Sequence, residues 1–159
     1  CPCGYFGSKT RECTCTPLQI SKYLSKISGP LMDRIDLHIS VDSVTYDDLT
    51  TDSLAESSDK IRERVNKARK IQSERFTGTG VHCNAKMTAE MLKKYCKTDE
   101  ASERLLRQAF DKLKLSARAY TRILKVARTI ADLAGEENIT IKHISEALNY
   151  RSMDRDYLN

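Results

Sequence analysis

With 159 residues, 40% of them hydrophobic, the chain can fill one medium domain or two small ones and is not wholly disordered. A charged content of 31%, with three Phe and no Trp, favours a helical, well-solvated protein. No apolar run nears the roughly 20 residues that cross a bilayer, and nothing at the start resembles a secretory signal, so no membrane partner and a cytoplasmic location are expected. The net charge of +5 is uneven: residues 42–59 hold six acids and no Lys or Arg, whereas 60–75 hold seven basic residues against Glu63 and Glu74. An opening Cys1 without Met leads us to expect an excised part of a longer chain.

Residues 1–15 read as a cysteine-bearing loop. Thr16-Pro17, a cap followed by proline at the first helical position, predicts a helix to about Ser28, ended by Gly29-Pro30. Leu31 to Arg34 predicts one short turn. Ile35-Asp36-Leu37-His38-Ile39-Ser40-Val41 alternates apolar and polar residues, predicting a half-buried strand with His38 on its polar side. A lone strand needs a sheet supplied from elsewhere, which again suggests part of something larger. The acidic stretch 42–58 reads as a surface linker. A basic helix over 59–76 follows, with Ile61, Val65, Ala68 and Ile71/Gln72 near one face and Arg62, Arg69 and Lys70 turned away; Thr77-Gly78-Thr79-Gly80 breaks it.

From Thr88 onward four helices are predicted: Thr88–Cys96, Thr98–Leu113, Ser116–Ala134, and Thr140 to about Tyr150. Asp99, Glu100 and Glu103 sit at the positive end of the second. The third is the best specified, with Ser116 as cap, Leu115 stapled onto Tyr120 and Gly135 as stop. Its Tyr120, Ile123, Leu124, Ala127, Ile130, Ala131 and Ala134 form one apolar stripe. The last should bury Ile141, Ile144, Ala147 and Leu148. The fold class is mainly α: a helical bundle over 88–159, preceded by a Cys-rich loop and single strand (1–41), the linker (42–58) and the basic helix with its loop (59–87).

Cys1-Pro-Cys3-Gly and Cys13-Thr-Cys15 put four thiols within fifteen residues. Disulfides are disfavoured in a reducing compartment, and four thiolates are a tetrahedral zinc set; with no open position, such a Zn2+ is structural. The alternative is two knuckles of inert thiols, since the spacing is CxC rather than CxxC. Cys83 and Cys96 are not expected to be ligands, and His82-Cys83 is an isolated pair. Gly78-Thr-Gly80 is no phosphate loop, because Val81-His82 follows where Lys and Ser/Thr are needed. There is no Ser-His-Asp order or paired-carboxylate site.

The run Cys-Pro-Cys-Gly-Tyr5-Phe6-Gly, then Cys-Thr-Cys-Thr-Pro through Gly-Pro-Leu-Met-Asp33-Arg34-Ile-Asp36-Leu-His-Ile, resembles the ComM-type branch of the magnesium-chelatase-like AAA+ ATPases. So do Leu-Ser116-Ala-Arg118-Ala-Tyr120-Thr-Arg and Ala-Leu-Asn-Tyr150-Arg151. Residues 42–87 match poorly. The resemblance implies the C-terminal helical lid of such an ATPase, with the P-loop and Mg2+-binding motif N-terminal to Cys1, so that this chain alone should not hydrolyse ATP. It implies that Arg34 is an arginine finger acting in trans and that Arg118 is the sensor 2 contact to ATP, with Arg122 and Lys125 as alternatives; a solvated surface arginine is the alternative role for each. A finger in trans implies a closed ring, expected to be a hexamer. ComM-type relatives are thought to act on DNA (recombination, branch migration, natural transformation), which makes the basic helix 60–75 a candidate DNA-facing element. The competing roles are metal insertion into a tetrapyrrole, against which the Cys-rich insert argues, and a non-catalytic zinc-stabilised binding module.

Overall fold

The computed structural model describes residues 1–41, 44, 46, 50 and 55–151. Most of the expected acidic linker, and residues 152–159 of the expected last segment, lie outside the described residues. Helix α1 spans Pro17–Leu24 behind a Thr16–Gln19 capping box, with Thr16 N–H donating to the Gln19 amide at 2.9 Å. It stops short of Ser28 because Ser28 caps another helix. The Ser28 hydroxyl accepts from the Leu31 N–H, and Gly29-Pro30 open α2, Gly29–Met32, instead of ending α1.

Helix α3, Ser58–Arg75, is capped by Ser57, and a 3₁₀ turn follows over Asn84–Lys86. Then come α4, Ala89–Tyr95; α5, Glu100–Leu113; α6, Ala117–Ala134; and α7, Ile141–Asn149. Asp99 accepts the Ser102 N–H at 2.7 Å and caps α5, which starts two residues later than its pattern suggested. Helix α6 ends on Gly135 at φ 72, with Glu136 N–H bonded to Ala131 C=O and Gly135 N–H to Asp132 C=O. This is the paired 6→1 and 5→2 closure that satisfies the orphaned carbonyls.

The core is built around α6, which packs on α7, on α3, on α4 and on the 3₁₀ turn, while α5 packs on α7. Phe76, Leu92, Leu106, Leu115, Ile123, Leu124, Ile139 and Ile144 are buried there. Ala127 and Ala131 of α6 and Ala147 of α7 are also buried, and such small side chains let helix backbones approach. Phe76 meets Tyr95 edge-on at 5.6 Å.

Several apolar positions do not behave as their periodicity predicts. Tyr120 is exposed and meets Phe110 edge-to-face at 6.4 Å, Ala134 is exposed as the last residue of α6, and Ile141 is exposed in the first turn of α7. Ile61 and Val65 lie open because α3 buries nothing before Ala68, so its first half overhangs the bundle.

The expected strand at Ile35–Val41 does not form. Among the described residues the sole sheet contact is an isolated parallel bridge between Thr98 and Ile139. Burial along the segment is inverted: His38 is buried, whereas Ile35, Leu37, Ile39 and Val41 are exposed. A strand with no neighbour has no partner for its row of amides and carbonyls. The segment is held instead by the C-terminal end of the bundle, with His38 N–H donating to Tyr150 C=O at 2.7 Å.

Candidate functional site

Arg34 follows α2 directly. Its backbone N–H closes the turn on Leu31 C=O at 2.9 Å, and its exposed guanidinium donates to Pro30 C=O at 2.7 Å. The flanking residues are tied to the far end of the chain. Arg151, almost wholly buried, donates to Ile35 C=O at 3.1 Å and reaches the Asp33 carboxylate at 3.5 Å. The turn that leads into Arg34 and the start of α6 also share a cleft of about 160 Å³, with Gly29, Met32 and Asp33 on one wall and Lys114, Ser116 and Ala119 on the other.

Besides the buried Arg128, helix α6 carries three cations on neighbouring turns. Arg118, in the first turn, is exposed, and among the described residues its side chain has no hydrogen-bond or ion-pair partner. Arg122 is committed to Asp36 at 2.5 Å as a charge contact, and Lys125 donates to Ala85 C=O at 2.9 Å. Of the three, Arg118 alone is uncommitted, at the end of a helix whose dipole favours anions. Between Asp36, Arg122, Lys125, Glu146 of α7 and Tyr150, which follows that helix, lies a largely apolar groove of about 380 Å³.

The four N-terminal cysteines converge, their sulfurs all within 4.8 Å of one another. Cys1–Cys3 are 3.4 Å apart, Cys3–Cys13 3.5 Å and Cys13–Cys1 3.7 Å. A tetrahedral Zn–S4 centre with bonds of about 2.3 Å has edges of about 3.8 Å, so these separations are compatible with such a centre. Phe6 N–H points at Cys1 Sγ, 3.2 Å away. Backbone hydrogen bonding at Tyr5 is the main influence that lowers the Cys3 thiol to about 6. No other group of three or more His, Cys, Asp or Glu among the described residues is placed to hold a metal. Cys96 is buried in the core, where desolvation pushes its thiol up to about 11 and leaves it inert.

Helix α3 and the end of α6 border a broad groove of about 600 Å³ with Lys60, Arg64, Lys67 and Lys70 along it and Leu133 to Gly135 opposite. Surface pairs partly neutralise this face: Arg62–Asp59 at 2.6 Å, Arg64–Glu56 at 2.7 Å and Lys67–Glu63 at 2.8 Å.

One polar centre is not foreseen by motif or spacing. Asp132, fully buried, receives both Arg75 and Arg128, and Asn84 donates to the same carboxylate at 2.7 Å. Arg128 also caps the end of α6, donating to Glu136 and Glu137 carbonyls at 2.6 and 2.7 Å. Burial lowers the Arg128 pKa, against the pull of Asp132. A signal for it does stand in the sequence: positions 128 and 132 fall on the apolar stripe beside Leu124 and Ala131, where a charged pair four apart needs a buried partner.

Residues 55–151 match the family model for the C-terminal region of the magnesium chelatase ChlI protein, and residues 1–49 match the model for magnesium chelatase ChlI itself. The chain is 42% identical over 156 residues to a competence protein, ComM, of Haemophilus influenzae, covering 97% of this chain and 29% of that protein. It is 36% identical over 156 residues to the uncharacterized protein YifB of Escherichia coli, with the same coverage. An uncharacterized protein of Mycobacterium tuberculosis is 32% identical over 151 residues, covering 95% of this chain and 29% of its own length. The chain thus spans under a third of the length of these relatives. Among the described residues no helix is long and apolar enough to cross a membrane.

Proposed function

Because the chain belongs to the magnesium-chelatase ChlI family, in its ComM/YifB branch, we propose that it supplies the arginine finger and the lid of an ATP-driven ring motor that acts on DNA. The P-loop and the acidic residues that bind Mg2+ then belong to the rest of the protein. The observation that carries this reading is the disposition of two cations: Arg34 stands exposed at the end of α2, and Arg118 stands exposed and uncommitted at the positive end of α6. Arg34 acts in trans, its fork-shaped guanidinium stabilising charge on the γ-phosphoryl group held by the next protomer. Arg118 contacts ATP and reports its state to the lid. A finger in trans needs a head-to-tail interface that closes, so the working protein is a ring, and we favour a hexamer.

The 42% identical relative is a competence protein, which favours DNA over a tetrapyrrole as what the motor acts on. The basic face of α3 gives the phosphate backbone a place to bind, since neutralising phosphates supplies most non-specific affinity. Cys1, Cys3, Cys13 and Cys15 hold one structural zinc that shapes the loop ahead of α1, a segment in which Phe6 is exposed and little else packs.

The test is the ATPase rate of the full-length protein with and without branched DNA, for the native sequence and for Arg34→Ala. Stimulation by branched DNA that collapses by about a thousandfold in the variant is the expected result. A rate indifferent to both DNA and the substitution would overturn the proposal and return metal insertion to the front.

A further inference from the structure

Three ties converge on the six residues that contain Arg34. Arg151 brackets it from both sides, through Asp33 and through Ile35 C=O. Arg122, one turn beyond Arg118 on α6, is paired with Asp36 at 2.5 Å. Tyr150 C=O accepts the His38 N–H at 2.7 Å. The partners are more than a hundred residues apart in sequence for Arg151, and none of the ties is part of a helix or a sheet.

We propose that Arg151 and Arg122 are positioning residues for Arg34, a clamp through which helix α6, by Arg122, and the end of α7, by Arg151, set the reach of the finger into the neighbouring protomer's site. The proposal rests on reading Arg34 as that finger. Helix α2 is four residues long, and 35–41 has no strand partner among the described residues, so local structure alone leaves the turn little to define its position. A transition-state cation displaced by an ångström loses most of its effect, so something must hold it.

The clamp does so with charge buried at a cost. Arg151 is 1% exposed, and a guanidinium is taken out of water only where its donors are met. Here two of them are met by the neighbours of Arg34. Its planar fork fixes direction as well as distance, which a lysine at the same place would not.

The Asp36–Arg122 pair adds the coupling. Arg118 and Arg122 lie four residues apart on one rigid helix, so a displacement of α6 when Arg118 meets a phosphate moves the tether on Asp36. ATP state at one site is thereby passed through a single lid to the finger serving the next. Coupling of this kind needs one element that both sites bias, and α6 with its tether to Asp36 is the element assigned that part here.

The experiment uses the full-length protein and single-turnover hydrolysis, which reads small residual rates. Arg122→Gln, Arg151→Lys and the exchanged pair Asp36→Arg/Arg122→Asp are compared in the native and Arg34→Ala backgrounds. Arg122→Gln is the principal variant because Asp36 is half-exposed and its loss does not threaten folding. We expect Arg122→Gln and Arg151→Lys each to lower kcat about tenfold with KM for ATP unchanged, and the exchanged pair to recover more than half of the loss. In the Arg34→Ala background the same changes should have no further effect, because a residue acting through Arg34 has nothing left to position. A kcat within about twofold of native for Arg122→Gln, or an equal loss in both backgrounds, would overturn the clamp while leaving the finger intact. Native rates for Arg34→Ala alone would remove the finger and the clamp together.

Discussion

Arg75 and Asp132, 57 residues apart, form a two-pronged ion pair between the end of α3 and the end of α6, with Nη1 2.7 Å from Oδ2 and Nη2 bonded to Oδ1. The Asp132 carboxylate is fully buried and also serves Arg128 and Asn84, so one anion is shared by two cations inside the bundle. Asp132→Ala should therefore cost about 3–5 kcal/mol, because it leaves buried charge uncompensated. Arg75→Met should cost less, about 1–3 kcal/mol, since Asp132 keeps Arg128. Urea unfolding with unchanged slope and a lowered midpoint is the check; a loss below about 1 kcal/mol for Asp132→Ala would show the network to be dispensable.

Gly135 is the stop of α6, held at φ 72 with open space where a Cβ would stand. Its cost of substitution is thus purely conformational. Gly135→Ala should lose about 1–2 kcal/mol and Gly135→Asn less, because Asn tolerates the left-handed region. Thermal unfolding of the two variants side by side separates this from any packing defect.

Cys96 gives a pH dependence. Burial holds its thiol protonated up to about 11, whereas in the unfolded chain it ionises from the ordinary 9.0. Between those values the native state binds more protons than the unfolded one, so this contribution is complete below pH 9 and is lost as pH rises towards 11. The loss is on the order of 2 kcal/mol, and Cys96→Ala should flatten it. Alkylation under mildly alkaline conditions should spare Cys96 until the bundle opens; labelling as fast as that of the half-buried Cys83 would contradict its burial.

The cysteine cluster predicts about one zinc per chain, lost in Cys13→Ser and retained in Cys83→Ser. Chelation should expose residues 1–15 to protease while leaving the melting of the α3–α7 bundle unchanged, since none of the four cysteines belongs to the bundle core. Full metal occupancy in Cys13→Ser would exclude the site.

Much of the fold was legible because its signals are local. Caps at Thr16 and Ser116, the stop at Gly135 and the stripe of Ile123, Leu124, Ala127 and Ala131 act within a turn or two of themselves, and the structure follows them. The cysteine cluster was legible for the same reason, being closed within fifteen residues. Ser28 misleads because a cap and a stop are both spelled with residues that break the previous helix.

The rest depended on distant partners. Strict alternation at 35–41 specified a strand, yet a strand exists only where another chain segment answers its hydrogen bonds; here Tyr150 and Arg151 answer them, and His38 goes inside. Periodicity could place Arg118, Arg122 and Lys125 on α6, but not the tie of Arg122 to Asp36 or of Lys125 to the Ala85 carbonyl. The sequence by itself determined most of the helices, several of their ends and the clustering of the four cysteines, because each is an interaction between near neighbours along the chain. Only the tertiary structure decided which charges are buried, which arginine stands free and what holds Arg34, because those are set by groups brought together across as many as 118 residues.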